Sequence, residues 1–386
     1  MKHPWSSQQF IEGARSSGLS AEVIAASNAA ARAVKTTHPD LPVILTLSHL
    51  AHLADVSPIR LRDIVKRSDD PYRVFRVKKR AHEGRSAAAP RRYRTICVPD
   101  PELMRLQRWI AQNILNVTNP HPCSFAFAPG RDLVGAAERH AGCKWLVKMD
   151  VRHFFESISE DQVFGVFRRL GYGALISFEM ARLCTRLHSR YYLTPQIEIT
   201  SDSEDNLPYP TTTQGHLPQG APTSPMLANL VVIELDKTLD RLARSLGWIY
   251  TRYADDIAFS IRELSTRGRA VEISKLAERA LVKFGLVANR QKTSITPPGG
   301  RRILLGVLID RDQPKLTRAF RNNIETHLYA LNNQKIGPMA HRERRGFASI
   351  IGMRRHVEGL IAFAHQIDRD YARELYASFD AVDWNR

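Results

Sequence analysis

The chain has 386 residues, with 56 Lys and Arg against 39 Asp and Glu, and so carries a formal net charge of +17. It is more than twice the usual single-domain length, and its 43% apolar and 25% charged residues suffice for two or three packed lobes, which excludes a short scaffold and wholesale disorder. The richest apolar stretch, residues 41–53, is interrupted by Ser48, His49 and His52, well short of the ~20 residues of a bilayer span. No membrane partner is expected, and without an apolar signal core after Met1 the expected location is the cytoplasm. So large a positive excess repels itself until an anion meets it, and nucleic acid is the expected anion. Cys97, Cys123, Cys143 and Cys184 are scattered without metal-ligand spacing and read as reduced structural thiols.

In chain order, residues 5–65 read as a helical lead-in. It includes an Ala-rich helix over 21–35 and a short helix opened by Ser57-Pro58 and running through Lys66, since Ser before Pro is an N-cap and first-turn pair. Residues 72–77 and 93–98 have β-type composition and predict a hairpin. Around it Arg73, Arg76, Lys78, Lys79, Arg80, Arg85, Arg91, Arg92 and Arg94 face one acid, Glu83; strand alternation puts several of these cations on one face, suited to phosphate. A helix is expected over 102–116, a central strand over 145–149 ending in Asp150, and a helix over about 160–170. Residues 191–216, with Pro195, Pro208, Pro210 and the acids Asp202, Glu204 and Asp205, read as an exposed loop and a candidate docking segment for a partner protein. A helix over 225–244, a second hairpin over 248–253 and 257–260, a helix over 271–284, a turn at Asn289 and a strand over 303–309 follow. In the helical tail Leu316, Phe320, Ile324, Leu328 and Leu331 form one stripe, with Arg318 and Arg321 on another face.

Two points place carboxylates at the ends of apolar strands: Asp150, and the pair Asp255 and Asp256. Hard oxygen donors of this kind suit Mg²⁺, and together they could hold two ions roughly 4 Å apart for phosphoryl transfer. The residues alone leave that possibility open against solvated or helix-capping carboxylates.

The surrounding motifs are more specific. Tyr253-Ala254-Asp255-Asp256, preceded by Pro218-Gln219-Gly220-Ala221-Pro222-Thr223-Ser224-Pro225 and by Asp150-Val151-Arg152-His153-Phe154-Phe155, resembles the ordered palm motifs of reverse transcriptases. The likeness extends to Arg94-Thr95-Ile96, Asn289-Arg290-Gln291-Lys292-Thr293 and Leu305-Gly306, and so spans roughly residues 70–365. Val163-Phe164-Gly165-Val166-Phe167 and Gly359-Leu360-Ile361-Ala362-Phe363 look like the retron group. Against that group's Asn-Ala-x-x-His and Val-Thr-Gly motifs, His140 and Gly306 match, while Ala136, Leu304 and Leu305 stand where Asn, Val and Thr are usual.

The resemblance implies an α+β right-hand polymerase: a helical extension over 1–68, fingers and palm over 69–311 with an antiparallel sheet backed by helices, and a small helical thumb over 312–386. It implies Asp150, Asp255 and Asp256 as Mg²⁺ ligands and Lys292 as proton donor to the departing pyrophosphate. Arg92 and Arg94 would grip the incoming triphosphate, where a planar guanidinium fork suits phosphate oxygens. Phe155 would exclude a 2′-hydroxyl, and Gln219 and Gly220 would approach the templating pair. Leu305 and Gly306 fall at the primer-gripping hairpin, and His140, Arg318 and Arg321 are candidate RNA contacts. The implied function is RNA-templated DNA synthesis from deoxynucleoside triphosphates. The implied partners are a cognate structured non-coding RNA, the branched RNA–DNA product made on it, and an effector protein in antiphage defence. An abortive-infection or intron-derived reverse transcriptase, and a nucleic-acid-holding scaffold that restrains an effector, stay open as alternatives.

Overall fold

The computed structural model describes residues 5–78, 93–187 and 213–384. Four helices open the chain: α1 (Ser7–Ser16), α2 (Ala21–Thr37), α3 (Leu47–Ala54) and α4 (Pro58–Val65). Ser6, Ser20, Thr46 and Ser57 cap them, each side chain accepting a backbone N–H three residues on, which satisfies a donor that a helix start leaves orphaned. Strands β1 (Tyr72–Lys78) and β2 (Tyr93–Pro99) pair antiparallel, with Tyr72 opposite Pro99. The basic residues that join them, Arg92 among them, lie outside the described residues, as do Asp202, Glu204 and Asp205 of the acidic segment.

Helix α5 (Pro101–Ile110) continues as a π-helical turn over Ala111–Leu115, then come α6 (Leu133–Arg139), β3 (Trp145–Asp150), α7 (Glu160–Arg169) and α8 (Ala174–Cys184). The helix expected over 225–244 is two, α9 (Ser224–Val231) and α10 (Ile233–Ser245), because Val232 leaves helical geometry at ψ 16°. Strands β4 (Ile249–Tyr253) and β5 (Asp256–Ile261) form the expected second hairpin, and α11 (Arg267–Lys283) starts earlier than expected behind the Thr266 cap. Short strands follow: β6 (Ser294–Thr296), β7 (Ile303–Leu304), β8 (Val307–Leu308) and β9 (Lys315–Leu316). The single strand expected over 303–309 is therefore a hairpin. Leu305 and Gly306 form its two-residue turn at φ 52° and 85°, and positive φ at both central positions is what a tight turn between right-twisted strands demands. The tail consists of α12 (Arg318–Asn332), α13 (Gly337–Arg345), α14 (Ile350–Ile367) and α15 (Arg369–Asp380).

The central sheet runs β4-β5-β3-β6, every neighbour antiparallel. Strands β3 and β5 occupy its middle and are almost wholly buried, which is why both read as near-continuous apolar runs. One apolar cluster joins Leu41, Leu50 and Leu61 of the lead-in to Val147, Leu235 and Phe259, so α2 to α4 pack into the same core as the sheet. Gly171 lets α2 in close: at φ 89°, a Cβ there would lie 2.6 Å from the Ala33 carbonyl oxygen. A second cluster, with Ile324, Val357 and Leu375, lies within the C-terminal helices. A third, with Leu146, Ala258, Leu304 and Val307, packs against Phe363 and Ile367 of α14 and so bridges sheet and tail.

Candidate active site

The sheet register brings the three acids to one end. Asp150 closes β3 directly opposite Asp256, the first residue of β5. Tyr253 pairs with Asp256, so Ala254 and Asp255 are the two-residue turn between them. Ala254 adopts φ 54°, a left-handed conformation that costs a residue with a Cβ on the order of 1–2 kcal/mol. The Val151 N–H donates to the Asp255 carbonyl at 2.9 Å and so locks the turn to the end of β3.

Asp150 is gripped from the segment after α11. The Asn289 N–H donates to its carbonyl at 2.7 Å, Asn289 Nδ2 donates to Oδ1 at 3.0 Å, and Lys292 Nζ pairs with Oδ2. Val151 also bridges Ala288, so these residues lie against β3 as a short extra ladder. The motif around Lys292 thus meets Asp150 in space, and Asn289, which motif reading left without a role, is a direct partner of that carboxylate.

Electrostatically Asp255 and Asp256 are under-neutralised. Burial and then the charge of Asp150 raise Asp255 above the ordinary carboxylate range; its own backbone N–H, Lys292 and Arg94 pull the other way. Asp256 lies at the exposed rim, yet the protein packed around its carboxyl withdraws water from it. That desolvation, followed by Asp255 and Asp150, pushes it up to about 6 against Lys292 and Lys148. Lys148, two residues before Asp150 on the same face of β3, is lowered by burial and steadied by Asp256. Its Nζ donates to the Ile303 carbonyl at 3.0 Å, which ties the β7–β8 hairpin to the sheet; a lone lysine in an apolar strand gave no sign of this in the sequence.

Crowded hard-oxygen donors with raised proton affinity fit a divalent cation, since binding one relieves the same repulsion that raises the pKa values. Among the described residues no group of three or more His, Cys, Asp and Glu side chains converges to hold a metal ion by itself. Mg²⁺ in particular takes one or two carboxylates and completes its octahedron with waters and substrate phosphates, so a two-carboxylate site suffices.

The fingers hairpin reaches the same end of the sheet. Arg94 is exposed on β2, and its charge is felt at Asp255. The Cys97 N–H donates to the Gln219 carbonyl at 2.7 Å. Gly220 sits at φ 107°, and a Cβ on it would lie 3.0 Å from both the Cys97 oxygen and Ile96 Cγ2, so only glycine lets the loop lie this close to β2. Phe155 is half-buried and meets buried Phe154 edge-on, their centroids 5.6 Å apart.

One expectation changes. His140 is fully buried, with Nδ1 2.6 Å from Ser260 Oγ and Nε2 2.7 Å from Thr251 Oγ1. Both ring nitrogens are engaged behind the sheet, so in this structure the side chain braces β4 against β5 and does not reach RNA. Arg321 donates to Asp368 Oδ2 at 2.7 Å and lies over the Tyr371 ring at 4.2 Å, stapling α12 to α15, whereas Arg318 is exposed at the start of α12. Both sit on one helix, and the Arg321 side chain keeps 37% exposure beside its contact with Asp368.

An α+β fold with an antiparallel sheet, carboxylates converging at its end and a basic hairpin over them defines a template-directed polymerase of the right-hand class. The family profile described as reverse transcriptase (RNA-dependent DNA polymerase) matches residues 77–313, more than half of the chain. The chain belongs to the reverse transcriptase family and, within it, is of the retron type. It is 29% identical over 334 residues to the Retron Ec86 reverse transcriptase of Escherichia coli, covering 86% of this chain and 92% of that protein. It is also 29% identical over 317 residues to the Retron Mx65 reverse transcriptase of Myxococcus xanthus (79% and 66%), and 27% identical over 306 residues to the Retron Ec73 reverse transcriptase of Escherichia coli (75% and 84%).

Proposed function

We propose that this RNA-directed DNA polymerase copies a dedicated structured non-coding RNA into a branched RNA–DNA product in the cytoplasm, with Mg²⁺ and deoxynucleoside triphosphates, and acts with an effector protein in antiphage defence. The observation that supports the chemistry is the meeting of Asp150, Asp255 and Asp256 at one sheet end under the charge of Arg94. The likeness to retron enzymes supports the choice of template and product. On this reading the lead-in ends near residue 68, and fingers and palm run to about 311 before the thumb.

Asp150 and Asp255 hold the metal ions, and Asp256 adjusts the field of the second. Mg²⁺ held by these carboxylates would supply activation of the attacking hydroxyl and charge neutralisation at the transferring phosphoryl group. Arg94, with Arg92, orients the triphosphate through charge-assisted bonds. Phe155 closes the space beside the sugar. Lys292, resting on Asp150 in the free protein, donates its proton to the departing pyrophosphate. Leu305 and Gly306 present a backbone turn to the primer end, and Arg318 meets RNA phosphate.

The test is to express the enzyme with its own locus and characterise the nucleic acid that purifies with it. DNA joined to RNA through a 2′ branch, with ribonucleotides surviving RNase and released by a debranching enzyme, is the expected result, and the Asp255→Ala protein should carry RNA without DNA. DNA that starts at a free end or on a protein side chain would reject the retron product.

A further inference from the structure

Behind the turn that carries Asp255 lies a fully buried ionic hub that motif reading does not reach. Tyr250 and Arg252 share the face of β4 that looks onto α10, and Arg252 and Asp236 are both at 0% exposure. The Arg252 guanidinium spends each of its five N–H groups. Nε donates to Asp236 Oδ1 at 2.8 Å. Nη2 donates to Asp236 Oδ2 at 2.7 Å and to Ser124 Oγ at 3.0 Å. Nη1 donates to Asn229 Oδ1 at 3.0 Å and to the Ala254 carbonyl at 3.1 Å. The acceptors are themselves held: Tyr250 OH donates to Asp236 Oδ1 at 2.7 Å, Ser124 Oγ to Asn229 Oδ1 at 3.0 Å, and Asn229 Nδ2 to the Ala126 carbonyl at 2.7 Å. The backbone of Arg252 is pinned too, its N–H to the Cys123 carbonyl and its carbonyl by the Phe125 N–H. Its guanidinium also lies 5.7 Å over the ring of Phe154, the neighbour of Phe155.

The Ala254 contact matters most. Ala254 is the left-handed residue immediately before Asp255, and a residue with a Cβ keeps that conformation only where its surroundings over-determine it. The peptide whose carbonyl Arg252 holds is the one whose N–H belongs to Asp255. Orienting that peptide orients the metal-binding carboxylate. A fork with fixed geometry can do this while also neutralising Asp236; a lysine, with three donors on a single nitrogen, cannot serve five acceptors spread around a plane.

We infer that Arg252 is a positioning residue for DNA synthesis: anchored by Asp236 and Asn229, it holds the Ala254 peptide in its left-handed form and thereby aims Asp255 at the reaction centre. The inference rests on the assignment of Asp255 to the active site. It separates two roles that a buried ion pair can have, because stability needs only that Arg252 and Asp236 be paired or both removed, whereas aiming Asp255 needs the fifth hydrogen bond.

The test compares four variants in primer extension on an RNA template, with melting temperature, primer–template affinity and hydrogen exchange at the Val151 amide measured in each. Arg252→Lys should lower kcat at least about tenfold, with primer–template affinity unchanged and faster exchange at Val151, whose N–H bonds the Asp255 carbonyl. Adding Ala254→Gly, which makes the left-handed turn unstrained, should recover part of kcat in the Lys background. The triple variant Tyr250→Phe, Arg252→Met, Asp236→Leu removes the charges together and should melt near the parent while extending poorly. Ser124→Ala, which spares the Ala254 contact, should stay within about twofold of the parent.

Parental kcat in a folded Arg252→Lys or triple variant would overturn the inference, as would a loss in Ser124→Ala equal to that in Arg252→Lys. If the parent itself fails to extend a primer, or Asp255→Ala extends one, it is the active-site assignment that falls.

Discussion

Asn289 and Asp150 meet twice, backbone to backbone at 2.7 Å and side chain to side chain at 3.0 Å. The residue that opens the motif containing Lys292 therefore holds the carboxylate proposed as the first metal ligand. Asn289→Ala frees Asp150 Oδ1 and should lower kcat about tenfold with little change in primer–template affinity, since affinity for nucleic acid comes mainly from phosphate neutralisation elsewhere. Lys292→Met should cost more, on the order of 10²-fold, if the ammonium also protonates the leaving group. Single-turnover extension separates the two, and equal losses would reduce Lys292 to a partner of Asp150.

The raised carboxyl of Asp256 has a sign that stability measurements read directly. Its folded pKa of about 6 lies above the ordinary aspartate value of 3.8, so between those values the native state binds more protons than the unfolded chain, and the stability contribution falls as pH rises through that window. Asp256→Asn should therefore raise the melting temperature above pH 6 and have little effect below pH 4. Added Mg²⁺ should raise the parent's melting temperature at pH 7 to 8 by binding the native state alone, and should raise that of Asp255→Ala much less.

Gly220 holds the approach between the loop at 218–220 and β2. Gly220→Ala pushes a Cβ against the Cys97 carbonyl and forces φ 107° on a residue that avoids it. The expected cost is about 1–3 kcal/mol of stability, read by denaturant melts, together with a raised KM for deoxynucleoside triphosphates as Arg94 on the same strand shifts.

Phe155 tests the sugar gate. Its ring is half-buried against Phe154, so Phe155→Ala opens space without leaving a polar group unpaired. It should admit ribonucleotides while retaining DNA synthesis, as measured by competing the two nucleotides in one extension reaction; unchanged discrimination would place the gate elsewhere.

His140 should behave as a brace. Its pKa is pushed down to about 3, by burial first and then by Arg139 and Arg262, so it is neutral at working pH. The native state binds fewer protons than the unfolded chain between about 6.5 and 3, and its contribution to stability is lost as pH falls through that range. His140→Leu leaves the Ser260 and Thr251 hydroxyls unpaired, for an expected loss of about 2–4 kcal/mol, and should not alter the salt dependence of RNA binding. Arg318→Ala should reduce that salt slope by about one.

Local chemistry is legible in this chain. Ser57-Pro58 starts a helix because a side-chain oxygen and a missing N–H suit a helix start wherever it occurs. The apolar runs ending in Asp150 and beginning after Asp256 became the two central strands because only a buried strand tolerates such continuity. Carboxylates at the ends of apolar strands left solvated or capping roles open, and it was the motifs around them that singled the acids out. Other features depended on partners far away in the chain. His140 matched a motif, yet Ser260 and Thr251 claimed both of its ring nitrogens. Arg252 had no assigned role beside the aspartates and is a hub, since the acceptors around its guanidinium come from a turn, two helices and a loop. Most elements and the residue types suited to the chemistry could be read from the chain, because caps, periodicity and donor hardness are properties of neighbours in sequence. Which side chains are left facing outward and which hold others still came from the folded arrangement, because burial and hydrogen-bond satisfaction depend on residues brought in from other elements, such as Ser124 at 128 positions from Arg252.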